Sequence, residues 1–256
     1  MWDWEVWLKV VIFSLMIFAI SKPFIYDTST NQDKKGRDLI LALDASGSMG
    51  QSGFDENDRF KNRFEITLEL SQAFIKERFD DNMGVVIFGT FAYTTSPLTY
   101  DLASLSYLLS LTNVGIAGES TAIGDAIMQS IRTLSYGNAK NKVIILLSDG
   151  YHNAGKTSPQ IAVEKAKELG IKIYTIGVGK KMDYDVALLQ RIAKETNAKS
   201  YSAITSTQLS KIYEDINSLE PSPIRSESFL NQKLQIIYPL LAIIILLLLW
   251  IFRSEK

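Results

Sequence analysis

Leu39–Gly50 reads LILALDASGSMG, an apolar run that enters an acid and then a polar Gly/Ser loop. The run fits a buried strand, and the loop ends it. Asp44, Ser46 and Ser48 then alternate along the connection that leaves the strand's carboxyl end. All three side chains carry oxygen, the ligand atom that a hard cation such as Mg2+ takes. Taken alone, D-x-S-x-S describes an ordinary Ser-rich turn equally well.

A second strongly apolar run lies further on. Lys142–Gly150, KVIILLSDG, ends in Ser148-Asp149-Gly150. Between the two, Gly118–Ala126 reads GESTAIGDA and places Thr121 at the start of a predicted helix, Ala122–Leu134. There the Thr121 hydroxyl has two possible roles, accepting an amide hydrogen bond as a helix cap or offering a lone pair to a cation. Asp125, one turn in, favours the helix dipole. Gly115, Gly118 and Gly124 give the backbone freedom around Thr121.

Outward from these runs, apolar periodicity predicts strands at Gly84–Gly89, Ala92–Thr95 (at a sheet edge), Lys172–Val178 and Ser200–Ala203. Helical spacing predicts helices at Phe60–Phe79, Leu102–Leu111 capped by Asp101, Pro159–Leu169 stopped by Gly170, Tyr184–Thr196 and Thr207–Leu219. The alternation from Asp38 to Leu219 implies an α/β fold, a mostly parallel sheet with helices on both faces. Ligands in that architecture bind beyond the carboxyl ends of the strands, where Asp44 and Asp149 both fall.

Composition narrows the chemistry. Lys and Arg number 27 against 28 Asp and Glu, a formal net charge of -1, which gives no reason to expect nucleic acid. With no cysteine there is no disulfide, thiolate catalysis or Cys-ligated zinc. The single histidine, His152, reads as a surface loop residue and builds no His cluster. No G-x-x-x-x-G-K-[ST] sequence marks a phosphate loop. In the hydrophilic stretch Gln51–Arg63, Asp55, Glu56 and Asp58 read as solvated carboxylates, with a second cation as the rival reading. Hydrolysis requires a positioned base. His152 and the unpaired Asp55, Glu56, Asp58 and Glu119 offer none, so no enzyme is expected.

Both ends are apolar. The stretch from Trp4 to Ile20 is interrupted by Glu5 and Lys9 and closed by Lys22-Pro23, and it reads as a retained anchor. Ile236–Phe252, IIYPLLAIIILLLLWIF, carries no charge and is closed by Arg253 and Lys256. With Tyr238 and Trp250 near its ends, it reads as a transmembrane helix. The expected layout is an N-terminal anchor at 1–22, a tether at 23–36, the α/β domain at 37–220, a linker at 221–233 and a second span at 234–252.

Asp44, Ser46, Ser48, Thr121 and Asp149, in this order and these contexts, resemble the metal-ion-dependent adhesion site of the von Willebrand factor A domain family. The resemblance implies a Rossmann-like A domain binding Mg2+, with Ca2+ or Mn2+ as alternatives. Ser46, Ser48 and Thr121 would coordinate directly, and Asp44 and Asp149 directly or through water. With its apolar ends and the run Thr121–Ile127, the chain looks most like the bacterial aerotolerance proteins of the BatA/BatB kind. That likeness implies a multi-pass protein of the bacterial inner membrane with a periplasmic A domain. It also implies other A-domain proteins and a MoxR-type ATPase as partners. Charge counting around the spans leans against that topology, which is adopted from the resemblance alone. Glu119 stands where relatives often have glycine, and Ser148 where threonine is frequent.

Three readings follow. The leading one is a membrane-anchored module that engages a partner's Asp or Glu through the cation. The second is a scaffold of an envelope complex whose interactions do not need the metal. The third is a metal-dependent hydrolase.

Overall fold

The computed structural model describes residues 4–20, 24–26, 37–54, 58–78, 81–219, 232–234 and 237–254. The chain divides into two compact units, Lys34–Ile224 and Met1–Asp33 with Arg225–Lys256.

The larger unit carries a six-stranded sheet in the order β4-β3-β2-β5-β6-β7. Its strands are β2 (Asp38–Asp44), β3 (Asn82–Phe88), β4 (Ala92–Thr99), β5 (Lys142–Ser148), β6 (Lys172–Val178) and β7 (Ser200–Ala203). All neighbours are parallel except β3 and β4. The predicted mostly parallel sheet is present, and the predicted edge strand β4 proves antiparallel. Every residue of β2 is buried, as a strand covered on both faces requires.

Alternation along β2 divides its side chains between two cores. Leu39, Leu41 and Leu43 meet α2 (Arg63–Lys76), α3 (Leu102–Ser110) and α7 (Ser206–Leu219). Ile40 and Ala42 meet α4 (Ile123–Leu134), α5 (Pro159–Glu168) and α6 (Val186–Glu195) on the other side. The amino end of the strand is fixed by buried Arg37, whose guanidinium donates to Asp81 at 2.8 and 3.1 Å.

Chain order positions the site. From β2 the chain builds outward through β3 and β4, then returns to lay β5, β6 and β7 on the opposite flank. The reversal lies between β2 and β5, and an open crevice forms beyond the carboxyl ends of two such strands. Asp44 closes β2 and Asp149 follows β5 directly.

The smaller unit corrects the expectation of two transmembrane helices. It holds α1 (Trp4–Ile20), β1 (Phe24–Tyr26), β8 (Gln232–Leu234) and α8 (Ile237–Ser254). Among the described residues, no helix is long and apolar enough to cross a membrane. At about 1.5 Å per residue, the 17 described residues of α1 span about 25 Å, short of a hydrocarbon core of about 30 Å. Glu5 and Lys9 interrupt α1 as well. The 18 residues of α8 include Arg253 and Ser254, so its apolar part is shorter still. The two apolar helices instead pack on each other, with Leu8, Ile12, Phe13, Met16, Leu247 and Trp250 lining a shared groove. Next to them β1 and β8 pair antiparallel, Phe24 opposite Leu234. Hydropathy marked both segments as apolar, but among the described residues neither helix is long and apolar enough to span. The multi-pass inner-membrane localisation falls with the spans.

Candidate metal centre

The five predicted residues come from three connections at one end of the sheet. Asp44 is fully buried, and its Oδ1 accepts the Ser46 amide at 2.9 Å, which turns the chain out of β2. A short 3-10 turn, Gly47–Gly50, follows and presents Ser48. The Ser46 and Ser48 hydroxyls lie 3.1 Å apart. Ser48 then donates to Asp149 Oδ1 at 2.5 Å, across 101 residues of sequence.

Thr121 joins from the third connection. A Cβ added to Gly150 would lie 2.8 Å from Thr121 Oγ1, so glycine is what lets the β5 loop close over the hydroxyl. The role of Thr121 as a helix cap is not seen. The helix begins at Ile123 behind Ala122, and no side chain caps it. Thr121 is held instead by its backbone, its amide donating to Asn153 Oδ1 at 2.8 Å and its carbonyl accepting from the Asn153 amide at 3.1 Å.

Burial governs the electrostatics. It pushes the Asp44 carboxyl up to about 7, against the hydrogen bonds from Ser148 and Ser46 and with a further push from the charge of Asp149. Burial also raises Asp149, opposed by Ser48 and Arg63. Two acids thus share a desolvated site in which Asp44 receives only neutral donors.

The donor set fits a hard divalent ion. Asp44, Ser46, Ser48 and Asp149 are linked by hydrogen bonds and the Thr121 hydroxyl lies beside Gly150, an all-oxygen set of the kind that Mg2+ prefers. Among the described residues, no three or more His, Cys, Asp or Glu side chains form a metal cluster. This site has two carboxylates, and neutral hydroxyls make up the rest.

Several neighbours were not predicted to belong to the site. Ser148 donates to Asp44 Oδ2 at 2.5 Å from the last position of β5. Arg63, read earlier as part of a hydrophilic insertion, donates to Asp149 Oδ2 at 2.8 Å and to Asp183 Oδ2 at 2.7 Å. Glu119 folds back on the serine loop. Its carbonyl accepts the Gly47 amide at 3.1 Å, and a Cβ at Gly47 would collide with its carboxylate. Asp125 does more than face the helix dipole. Its carboxylate accepts the amides of Lys156 and Thr157 at 2.9 and 2.8 Å, stitching the β5–α5 loop to α4. His152 is half-buried in that loop. Asp55 and Glu56 lie outside the described residues.

Residues 38–215 match the model of the von Willebrand factor type A domain. The chain belongs to that family. An uncharacterised protein of Borreliella burgdorferi is 30% identical over 180 residues, covering 70% of this chain and 52% of the relative. The chain therefore spans about half the length of that relative. Its fold is also that of BatB from Bacteroides thetaiotaomicron, at a TM-score of 0.61 and 24% identity over 72% of this chain and 98% of the other. An aerotolerance-related membrane protein from Bacteroides fragilis gives a TM-score of 0.60 and 22% identity, with coverages of 72% and 98%. Domains of this family are characteristically non-catalytic adhesion and scaffold modules. The leading sequence reading, a membrane-anchored module bridging to a partner through metal, is overturned at its anchor, since no described helix spans a membrane.

Proposed function

We propose that this A domain is a protein-binding scaffold whose contacts do not depend on a metal bridge. The observation that carries this reading is that the cluster is already closed by the chain's own groups. Ser48 and Arg63 fill both oxygens of Asp149, Ser148 holds Asp44, and Gly47 is tied to Glu119. These bonds tie the serine loop to Glu119 and to the β5 end through the chain's own groups. Asp44, Ser46, Ser48, Thr121 and Asp149 are then a Mg2+-type cation site, with Ca2+ or Mn2+ as substitutes, that reinforces the loops. Likeness to BatB supports an assembly containing other A-domain proteins and a MoxR-type ATPase.

The test is recovery of partners by the tagged full chain from a native extract, in Mg2+ and in EDTA, with wild type and Asp44→Ala. A scaffold keeps the same partners in all four samples. Partners lost in EDTA and in Asp44→Ala alike would refute the reading.

A further inference from the structure

Arg63 is the first residue of α2, fixed there by the Asn62–Glu65 capping box and by its amide, which donates to Gln51 O at 2.9 Å. Its guanidinium reaches two acids that are far apart in sequence, Asp149 and Asp183. The Arg63 side chain is 11% exposed, that of Asp149 0% and that of Asp183 24%, so the pairs are largely withdrawn from solvent. The path is built for it. A Cβ at Gly179, where φ is +106°, would sit 2.8 Å from Asp183 Oδ2 and 2.9 Å from Arg63 Cζ. Asp183 is held in turn by the Lys180 amide at 2.9 Å.

This cation sits on the acid whose charge a divalent ion would use. Asp149 has two oxygens, one taken by Ser48 and the other by Arg63. We propose that Arg63 is a resident counter-charge that competes with the divalent ion for Asp149, and that Asp183 sets the balance by drawing the guanidinium toward itself. The inference rests on the cation-site reading above. Arg63 is a positioning residue here: it fixes the charge and orientation of a ligand.

Charge arithmetic gives opposite signs for the two arms. Removing the Arg63 charge leaves Asp149 fully available, so Arg63→Gln binds the ion more tightly, on the order of tenfold. Removing the Asp183 charge leaves Arg63 committed to Asp149, so Asp183→Asn binds more weakly. In the absence of metal, Arg63→Gln is less stable than wild type because it strands a buried acid.

The experiment titrates Mn2+ into the full chain and follows free Mn2+ by electron paramagnetic resonance. Circular-dichroism melts in EDTA run in parallel for wild type, Arg63→Gln, Arg63→Lys, Asp183→Asn and Asp44→Ala. Tighter binding with a lower melt in Arg63→Gln, near-wild-type binding in Arg63→Lys and weaker binding in Asp183→Asn are expected. A structural role alone would lower melt and affinity together. Equal or weaker binding by folded Arg63→Gln overturns the proposal. If that variant does not fold, unchanged or tighter binding by Asp183→Asn overturns it. Loss of binding in Asp44→Ala alone shows that the cation site is real and isolates any failure to Arg63. Absence of binding in every protein removes the cation site and the proposal with it. Binding by Arg63→Gln where wild type shows none supports both.

Discussion

Replacing Asp44 with asparagine should stabilise the metal-free domain at neutral pH while removing its response to magnesium. Burial holds the Asp44 carboxyl at about 7, against an ordinary 3.8. The native state therefore keeps a proton that the unfolded chain releases, and stability falls as pH rises from about 4 to about 7. At about 1.4 kcal/mol for each pH unit between the two values, the ionised carboxylate costs about 4 kcal/mol above that window. Asparagine removes this cost but replaces the hydrogen bonds with Ser148 and the Ser46 amide imperfectly, which takes back about 1–3 kcal/mol. A net gain of about 1–3 kcal/mol at pH 8 is expected, shrinking toward pH 4. The assay is urea unfolding of both proteins in EDTA from pH 4.5 to 8. Millimolar Mg2+ should then raise the wild-type midpoint at pH 8 and leave that of Asp44→Asn unmoved. Parallel pH profiles for the two proteins would refute the claim that the buried Asp44 charge is costly.

Two further substitutions probe the frame around the site. Gly124→Ala would place a Cβ 2.0 Å from the Thr157 carbonyl oxygen, and backbone cannot swing aside, so a loss of about 1–3 kcal/mol or more is expected in denaturant unfolding. An unchanged midpoint would mean that α4 and the α5 loop are not held this closely. Asn62→Ala removes the capping box that starts α2 and should cost about 1 kcal/mol. Because α2 carries Arg63, Mn2+ affinity in this variant should shift toward that of Arg63→Gln, and an unshifted affinity would show that Arg63 is placed by other contacts.

The parts of this fold legible in sequence were those set by local pattern. β6 and β7 fall on their predicted residues, and β2 and β5 extend only slightly beyond their apolar runs. Such runs are recognised because a strand buried on both faces tolerates nothing else. Asp101 caps α3 as expected, accepting the Ser104 amide at 3.0 Å. β4 proved longer than the Ala92–Thr95 reading because Pro97 breaks the pattern. As an edge strand with irregular pairing to β3, it accommodates the proline. The start of α2 had a usable signal in Asn62-x-x-Glu65, which places the first helical residue at Arg63 rather than Phe60. Nothing local pairs Arg63 with Asp149 and Asp183, 86 and 120 residues away. The apolar ends show the opposite failure. Composition there pointed to spans, and among the described residues neither helix is long and apolar enough to cross a membrane.

The two acids of the site differ in a way that would let the proposed cation site and the proposed metal-independent scaffold coexist in one domain. Asp149 is compensated by a guanidinium. Asp44 is compensated only by the Ser148 hydroxyl and the Ser46 amide, neither of which carries charge. The unmet demand for positive charge is therefore concentrated at the end of β2, on the serine loop's own strand. An ion that meets it would tighten the Asp44–Ser46–Ser48 connection most and the β5 loop least. Metal would grade the stiffness of one loop without creating or destroying the binding face. Hydrogen exchange in Mg2+ and in EDTA should accordingly differ at residues 45–50 and hardly at 149–153. Equal protection changes in both loops would instead mean that the site is a single unit organised by the ion.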